Sequence, residues 1–385
     1  MKSGIENEES KLAKAQDAAD LAAVRTGLGL TESDATTLEG ENGTPVRMRA
    51  ENPNRKPRAA AGEPDSVQTF TVLTLQEKDV DQVSDAPALC RTTFAWYAPI
   101  SPSGQGAVKT RAVVLLMPGM FGTPEQIIDP LVKHLRQQGY CVLRMISQPS
   151  RFTEEVLITI NTQDQDQWQA EAMRAAAVID NRLAEVAYSV EAALEHVHTL
   201  DADVVLLPHV IMGISGGAIS LPPVVARMPT RWSAAVIMGG SADFWLTLSR
   251  SNYNDFIGAV HTRWLPESVN NPAGSPARQA FDQAYLSHAR LDPYHTIAAL
   301  KSKPVLMIQG ALDRAVPSSL CDVLWSRLGE PQAPSARWKT PLSHETLFLT
   351  LPARFGEMTS WIDGVIARPQ GQPSPAPAAA SPESK

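Results

Sequence analysis

Cysteine is scarce in this chain, which has three cysteines among 385 residues. Cys90, Cys141 and Cys321 are widely spaced and odd in number, so they provide neither a disulfide framework nor a Cys-x-x-Cys metal pair. Cys141 lies in an apolar run that begins at Tyr140, which indicates a buried free thiol. This cysteine usage favours a reducing compartment.

Long basic runs and long apolar runs are also missing. The formal net charge of −7 is spread along the chain, which argues against nucleic acid as a partner. No uncharged apolar stretch reaches about 18 residues, so we expect no transmembrane helix. The first twenty residues, MKSGIENEESKLAKAQDAAD, lack the apolar core of a signal peptide. We therefore expect a cytoplasmic protein, and the sequence gives no sign of its oligomeric state.

Both ends of the chain have the composition of flexible segments. Residues 1–65 are poor in aromatics and rich in charge, alanine, glycine and proline, with Ser10–Val24 as a candidate helix. Residues 369–385 form a Pro/Ala/Ser tail that cannot bury a core, so we expect disorder there. Hydrophobic residues make up 43% of the chain, enough for one large domain over residues 66–368.

Strands and helices alternate between these two ends. The strand-like segments are Thr69–Leu75, Thr92–Tyr97, Ala112–Met117, Tyr140–Ile146, Asp203–Met212, Ala234–Met238, Pro304–Ile308 and Ala336–Lys339. The helical segments are one from Thr123 to Gly139, one around Leu183–Val197, Gly216–Arg227, Ser318–Leu328 and Glu345–Ile366. Continuous apolar strands such as Ala112–Met117 are typical of parallel sheets buried on both faces. The alternation predicts an α/β fold with a mostly parallel central sheet and helices on both faces.

Two connections are too long for simple crossovers. The first insert covers about residues 147–180 and the second about residues 243–302, and we expect the second to form a helical lid. Both follow the carboxyl ends of strands, where open α/β sheets bind ligands. The aromatic residues of the second insert either line an acyl pocket or form a small core of their own. Trp245 and Trp264 are the candidates there for contact with substrate.

A serine lies between a predicted strand and a predicted helix, in Gly213-Ile-Ser215-Gly-Gly217. A serine hydroxyl is a weak nucleophile unless it is accessible to a base and close to a site for an anion. A tight strand–turn–helix connection meets both needs, because its glycines allow close chain approach and the helix N-terminus presents unpaired N–H groups. Ser215 is therefore the candidate nucleophile. The alternative is a glycine-rich turn with an idle serine.

The segment Met117-Pro-Gly-Met-Phe-Gly122 connects the first apolar strand to a helix. Its backbone N–H groups, with that of Gly216, are candidates to bind the oxyanion of a tetrahedral intermediate. Met120 is the preferred second donor and Phe121 the next choice. Phe121 is also a candidate for contact with substrate. A plain turn is the alternative interpretation.

An acid and a base complete the set of catalytic candidates. Asp313 comes just after the strand Pro304–Ile308, where a carboxylate can orient an imidazole and stabilise its cation. Asp243 is the rival acid, since it follows the strand after the nucleophile. Of eight histidines, only His344 follows both serine and acid in a loop after the last predicted strand. The order Ser, Asp, His is the order in α/β-hydrolases.

With these four motifs in this order, about residues 90–366 resemble the α/β-hydrolase superfamily, and within it the serine esterases and lipases. The resemblance implies that Ser215 attacks an acyl carbon, that His344 is general base and then general acid, and that Asp313 orients His344. Pro118-Gly119 stands where His-Gly is usual, and Leu342-Ser343 stands where Gly-Gly is usual. We therefore assign no subfamily.

Hydrolysis of a small-molecule carboxylic ester is the predicted reaction, with no cofactor and no metal. The same three residues would serve thioester or amide hydrolysis, or acyl transfer to an alcohol. A haloalkane dehalogenase is not expected, because that chemistry uses a carboxylate at the position of Ser215. A metallohydrolase is not expected, because His-Glu-x-x-His is missing and His196 and His198 point in different directions from one helix. A non-catalytic binding protein with the same fold is the alternative from another class.

Overall fold

The computed structural model of the chain describes residues 38–39, 45–51, 67–76, 88–101, 108–120, 122–149, 151–253, 260–266 and 275–367. Three sequence predictions lie outside the described residues: the candidate helix Ser10–Val24, the roles of Phe121, and the disorder of residues 369–385.

The described residues form twelve strands, ten of them in one sheet. They are β1 (Leu38–Glu39), β2 (Pro45–Glu51), β3 (Val67–Gln76), β4 (Ala88–Tyr97), β5 (Ala112–Met117), β6 (Tyr140–Met145), β7 (Val156–Asn161), β8 (His209–Ile214), β9 (Trp232–Met238), β10 (Val260–Leu265), β11 (Val305–Gly310) and β12 (Ala336–Thr340). The order in the large sheet is β1-β2-β3-β4-β6-β5-β8-β9-β11-β12. The six strands β6, β5, β8, β9, β11 and β12 are parallel to one another. Strands β1 to β4 form an antiparallel extension beside β6. The predicted α/β fold with a mostly parallel sheet is confirmed.

The helices are α1 (Glu125–Gln137), α2 (Gln165–Leu200), α3 (Gly216–Arg227), α4 (Phe244–Arg250), α5 (Pro276–His288), α6 (Pro293–Thr296), α7 (Ser318–Leu328), α8 (His344–Thr350) and α9 (Phe355–Ile366). Short 3₁₀ helices occur at Ala202–Leu206, Ile297–Leu300 and Leu351–Arg354. The 36-residue helix α2 is about 54 Å long at the usual rise per residue. In the described part of the chain, none of the helices combines the length and apolar character needed to cross a bilayer.

The central sheet is covered on both faces. Side chains alternate along a strand, so Val113 and Leu115 of β5 belong to one hydrophobic core, whereas Val114 and Leu116 belong to another. Helices α2, α3 and α7 contribute to the first core, and α1, α8 and α9 to the second. The continuous apolar runs are therefore strands buried from both sides, as the sequence predicts.

Two predicted boundaries are wrong by two to six residues, for local reasons. Helix α1 begins at Glu125, because the Thr123 hydroxyl does not cap it and instead accepts a hydrogen bond from Gly119 N at 3.0 Å. The predicted strand Asp203–Met212 is a 3₁₀ helix followed by β8. The predicted bounds of helix α3 are confirmed: it continues through Pro222 and Pro223, and its burial compensates for the lost N–H donors.

Within residues 1–65, the described residues form β1 and β2, which extend the sheet; Val46-Arg-Met-Arg-Ala50 alternates apolar and charged residues, as strands do. The first insert ends earlier than residue 180, because α2 begins at Gln165, where the Asp164 side chain accepts a hydrogen bond from Gln167 N.

The two inserts meet in a second, two-stranded sheet. Strand β7 of the first insert pairs in parallel with β10 of the second, from Val156 opposite Val260 to Asn161 opposite Leu265. The second insert is therefore not a purely helical lid. It contains β10 as well as α4, α5 and α6, and it is tied to the first insert by main-chain hydrogen bonds.

Candidate active site

Ser215 lies alone between β8 and α3 in a backbone conformation that side-chain-bearing residues seldom adopt. Its φ is 52° and its ψ is −115°. Ser215 N donates to Met238 O at 2.8 Å, and the N–H groups of Ala218 and Ile219 donate to Ser215 O at 2.8 and 3.0 Å. These bonds hold the turn in its strained form, which places the serine side chain at the carboxyl edge of the parallel sheet.

The flanking glycines are required by close backbone contacts. A Cβ atom at Gly213 would lie 2.5 Å from Gly217 O and 2.7 Å from Ala218 N. A Cβ atom at Gly217 would lie 2.4 Å from Pro118 O. Not even a Cβ atom fits at either position. The two glycines therefore allow β8, α3 and the loop after β5 to meet around Ser215.

Asp313, His344 and Ser215 form a continuous hydrogen-bonded chain. His344 Nδ1 lies 2.7 Å from Asp313 Oδ2, and His344 Nε2 lies 2.9 Å from Ser215 Oγ. A carboxylate accepts hydrogen bonds, so the imidazole proton belongs on Nδ1 and Nε2 is free to accept the Ser215 hydroxyl proton. The other oxygen, Asp313 Oδ1, accepts from Val316 N at 2.8 Å, which fixes the carboxylate. The structure thus brings together the three side chains expected from the sequence.

The first residue of helix α8 is His344, and its surroundings hold the ring in place. Ser343 and Thr346 form a reciprocal capping box at the start of α8. The imidazole packs nearly perpendicular to the Phe348 ring at a centroid distance of 4.9 Å and to the Tyr253 ring at 5.9 Å. Ser343 in place of the usual glycine therefore has a structural role as the cap of the helix that carries the base.

The alternative acid, Asp243, caps another helix. Its Oδ1 atom accepts from Leu246 N at 2.9 Å at the start of α4, and its own N–H donates to Asp292 Oδ1 at 3.1 Å. Burial, followed by repulsion from Asp292, raises the pKa of Asp243 to about 8. The carboxylate beside the imidazole is that of Asp313, so Asp243 is not the acid of this hydrogen-bonded chain.

The loop after β5 lies against the start of α3. A Cβ atom at Gly216 would lie 2.5 Å from Met120 N, so the two candidate oxyanion donors are adjacent. The amide of Gly216 is in the first turn of α3, where N–H groups have no partner within the helix. Gly122 N donates to Gly119 O at 3.0 Å, and this hydrogen bond closes a tight turn within the loop.

Gln148 supports this loop and was not identified from the sequence. Its Nε2 donates to Pro118 O at 2.9 Å, and the side chain is buried. Its Oε1 is one of the buried side-chain oxygens without a partner among the described residues. The contact joins positions 30 residues apart, and the only available sequence signal was the position of Gln148 just after a strand of the sheet.

A cavity of about 530 Å³ opens beside Ser215 and His344. Its wall is mostly apolar and includes Met120, Ile127, Ile219, Leu248, Val316, Phe348 and Leu349. The second insert contributes Thr247, Leu248, Ser251 and Tyr253 to this wall. The cavity is large enough for a small organic molecule and presents an apolar surface to it.

The expected contacts of Trp245 and Trp264 with substrate need correction. Neither residue is among the described residues that line the cavity. Trp245 is 2% exposed and packs against Phe281 and Tyr285, with ring centroids 4.9 and 5.8 Å apart. Trp264 meets the same Phe281 ring edge at 5.8 Å. The aromatic residues of the second insert bury one another, because helices and a strand outside the main sheet need a core of their own.

Within the described ranges, no group of three or more His, Cys, Asp or Glu side chains is arranged to hold a metal ion. All three cysteines are buried free thiols, and burial raises the pKa of Cys141 to about 11.

The strand order, the strained serine after β8 and the chain order Ser, Asp, His together define an α/β-hydrolase fold. Neither a protein-family model nor a curated protein sequence matches the chain. Solved structures that resemble it include an esterase from Pyrococcus furiosus, at 12% identity over 72% of this chain and 88% of that one, with a TM-score of 0.44. Est1E from Butyrivibrio proteoclasticus is 14% identical over 70% and 95% of the two chains, with a TM-score of 0.44. An acylaminoacyl peptidase from Pyrococcus horikoshii is 11% identical over 79% and 49%, with a TM-score of 0.47.

Proposed function

We propose that this protein is a serine hydrolase that cleaves a carboxylic ester through an acyl-enzyme intermediate. The observation that carries the proposal is the hydrogen-bonded chain from Asp313 through His344 to Ser215, which ends at an apolar cavity. A serine without a catalytic role does not require an oriented base beside it, and a histidine with only a structural role does not require a strained serine as its partner. The arrangement supports catalysis over a purely binding role.

The proposed reaction has two halves. In the first, His344 Nε2 takes the hydroxyl proton while Ser215 Oγ attacks the acyl carbon; the ester bond breaks, and the imidazolium gives the proton to the leaving alcohol. In the second, His344 takes a proton from water, hydroxide attacks the acyl-enzyme, and the acid leaves as the proton returns to Ser215 Oγ. Asp313 orients the imidazole and stabilises its cationic form in both halves.

The amides of Gly216 and Met120 are the proposed oxyanion donors. They are adjacent in the fold and belong to backbone segments held by Gln148 and by the start of α3. Two such donors stabilise the charge that develops on the carbonyl oxygen, and each typically contributes a few kcal/mol to lowering the barrier. The mostly apolar cavity wall suits the hydrocarbon part of an ester.

The test is labelling and turnover with a matched pair of serine variants. Wild type should react with a fluorophosphonate probe and hydrolyse a short p-nitrophenyl ester, and Ser215→Ala should lose both activities by several orders of magnitude. Ser287→Ala, at an exposed serine in α5, should retain both. Equal labelling of wild type and Ser215→Ala, or no Ser215-dependent turnover, would contradict the proposal. If turnover depends on Ser215, kcat/KM for matched ester, thioester and amide substrates would show which of the three reactions the protein catalyses best.

A further inference from the structure

The cavity wall carries a fixed negative charge next to the candidate base. Among the described residues that line the cavity, Glu345 is the only carboxylate, and none is Lys or Arg. Glu345 follows His344 directly in α8, so its charge lies near the position where substrate would meet the imidazole. The reaction proposed above does not use this carboxylate.

Two neighbouring hydroxyl groups hold the Glu345 carboxylate. The Tyr253 hydroxyl donates to Glu345 Oε1, and the Ser343 hydroxyl donates to Glu345 Oε2 at 2.9 Å. Tyr253 is itself part of the cavity wall, and its ring packs perpendicular to the His344 ring at a centroid distance of 5.9 Å. The bond from Tyr253 is the main reason that the pKa of Glu345 is lowered, so Glu345 keeps its charge at neutral pH. Burial raises the pKa of Tyr253, so the phenol keeps the proton it donates.

A charge held in this way discriminates between substrates by their own charge. An acyl chain that ends in a carboxylate would approach Glu345 without a cation in the described wall to offset the repulsion. A neutral chain would find apolar side chains such as Leu248 and Phe348. The residue is exposed, so solvent and salt screen its field and the discrimination is modest.

We propose that Glu345, held by Tyr253 and Ser343, is a specificity-determining residue that selects uncharged apolar esters over anionic ones. This inference rests on the proposed ester hydrolysis, and it adds the substrate class. Selection comes from repulsion of the wrong substrate rather than from a new contact with the right one.

The experiment compares three p-nitrophenyl esters of equal chain length that end in a methyl, a carboxylate or a trimethylammonium group. The readout is kcat/KM for each charged ester divided by kcat/KM for the neutral ester. Glu345→Gln should raise the carboxylate ratio about two- to fivefold and lower the ammonium ratio. The gain should shrink as sodium chloride is raised from 0.05 to about 0.5 M, because the field is screened. Tyr253→Phe, which keeps the ring and loses the bond to Glu345, should change the ratios in the same direction and by less.

The control is Glu195→Gln, an equal change of net charge at an exposed position of α2 outside the described cavity wall. It should leave all ratios unchanged. Unchanged ratios in Glu345→Gln, or an equal change in Glu195→Gln, would overturn the inference while leaving the ester hydrolase intact. Absence of Ser215-dependent turnover of the neutral ester would overturn the proposed function and the inference together. Thermal melts of each variant would separate misfolding from altered selectivity.

Discussion

At the scale of single residues, the candidate site depends on two side chains that are doubly restrained. Asp313 accepts one hydrogen bond from the backbone of Val316 and one from His344, so neither of its oxygens is free to rotate away. His344 is fixed by Asp313 on one ring nitrogen and by perpendicular packing against the rings of Tyr253 and Phe348. A base held in this way needs little rearrangement to take a proton from Ser215.

The two candidate acids should differ sharply when each is changed to asparagine. Asp313→Asn should reduce kcat on a p-nitrophenyl ester by about 10⁴-fold, because an amide cannot hold the proton on His344 Nδ1 in the productive tautomer. Asp243→Asn should change kcat by less than about tenfold, because the Asp243 carboxylate caps α4 and does not contact the imidazole. Steady-state kinetics of the two purified variants checks this ranking. The reverse ranking would assign the acid to Asp243.

The backbone strain at Ser215 predicts a difference in stability between two inactive variants. Ser215→Gly should be more stable than Ser215→Ala by about 1 kcal/mol, because glycine adopts a φ of 52° without steric cost whereas alanine does not. The comparison removes the hydroxyl in both proteins, so loss of the bond to His344 cancels. Urea denaturation followed by fluorescence measures the difference. Equal stability, or a more stable alanine variant, would mean that Ser215 is not strained in solution.

These residues were predictable because their motifs are local. Ser215 lies between two glycines after an apolar run, and Asp313 and His344 each follow a strand, so strand ends alone bring them to one edge of the sheet. Gln148 was not predictable in the same way, because its role depends on a contact with Pro118 that no local pattern encodes. The side-chain positions of Trp245 and Trp264 were also beyond the sequence, since aromatic residues at helical spacing serve equally well in a pocket or in a small core.

At the scale of secondary-structure elements, α4 and α6 are joined by a pair of buried acids. Asp292 accepts hydrogen bonds from the backbone N–H groups of Asp243, Phe244 and Tyr294 and from the Tyr285 hydroxyl. Burial raises the pKa of Asp292, and these four donors oppose that rise because they favour its ionised form. The proton available to the pair therefore belongs on Asp243, whose pKa is raised to about 8.

This pair predicts a pH-dependent effect of Asp243→Asn on stability. In the folded protein Asp243 keeps its proton up to about pH 8, whereas in the unfolded chain it loses the proton near its ordinary value of 3.8. The folded state binds more protons between these values, so the free energy of unfolding of the wild type falls as the pH rises. Asparagine does not titrate. The variant should therefore gain on the order of 4 kcal/mol relative to wild type from pH 5 to pH 8, and little more above pH 8.

Thermal or urea denaturation at several pH values measures this gain. Asp203→Asn, at an exposed residue of the 3₁₀ helix before β8, is the control for the change of net charge. A difference between Asp243→Asn and wild type that stays constant from pH 5 to pH 8 would mean that Asp243 is ionised in the folded protein.

The bounds of the strands in the main sheet, and of the helices that cover it, were predictable to within a few residues wherever the apolar pattern was strong. Helix α7 begins and ends at the predicted residues, since Gly329 with a φ of 92° terminates it as expected of a glycine cap. Helix α2 was recognised only in its second half, because its first half is rich in alanine and glutamine and lacks a clear apolar stripe. Helix α3 has the predicted bounds although it contains Pro222 and Pro223, because the burial of Leu221, Val224 and Val225 outweighs the cost of the prolines.

At the scale of the whole molecule, the pairing of the two inserts was beyond sequence reasoning. Strands β7 and β10 are about 100 residues apart in the chain, and each is too short to reveal its partner. Their pairing is one of the links between the first insert, which positions Gln148, and the second, which supplies one wall of the cavity. The loop that carries the proposed oxyanion donor and the wall that faces the substrate are therefore connected through one small sheet.

A cross-link between the two inserts tests this arrangement. Leu157 and His261 are opposite each other in the β7–β10 register, and both are exposed. Neighbouring strands lie about 4.8 Å apart, within the Cα separation that a disulfide accepts. The double variant Leu157→Cys with His261→Cys should form a disulfide under mild oxidation, and it should retain turnover of a neutral ester within about twofold, because the bond preserves an existing contact.

The matched control is Leu157→Cys with Arg263→Cys, in which the second cysteine lies two residues further along β10 at another exposed position. Its Cα separation from residue 157 is about 8 Å, too far for a disulfide without movement of the backbone. The native cysteines are buried, so thiol titration and non-reducing electrophoresis report on the introduced pair. Faster cross-linking of the control than of the Leu157 and His261 pair would show that the register is shifted. The variant with Leu157→Cys and His261→Cys could also lose turnover on oxidation and recover it on reduction. That result would show that the two inserts move apart during the catalytic cycle rather than forming a fixed wall.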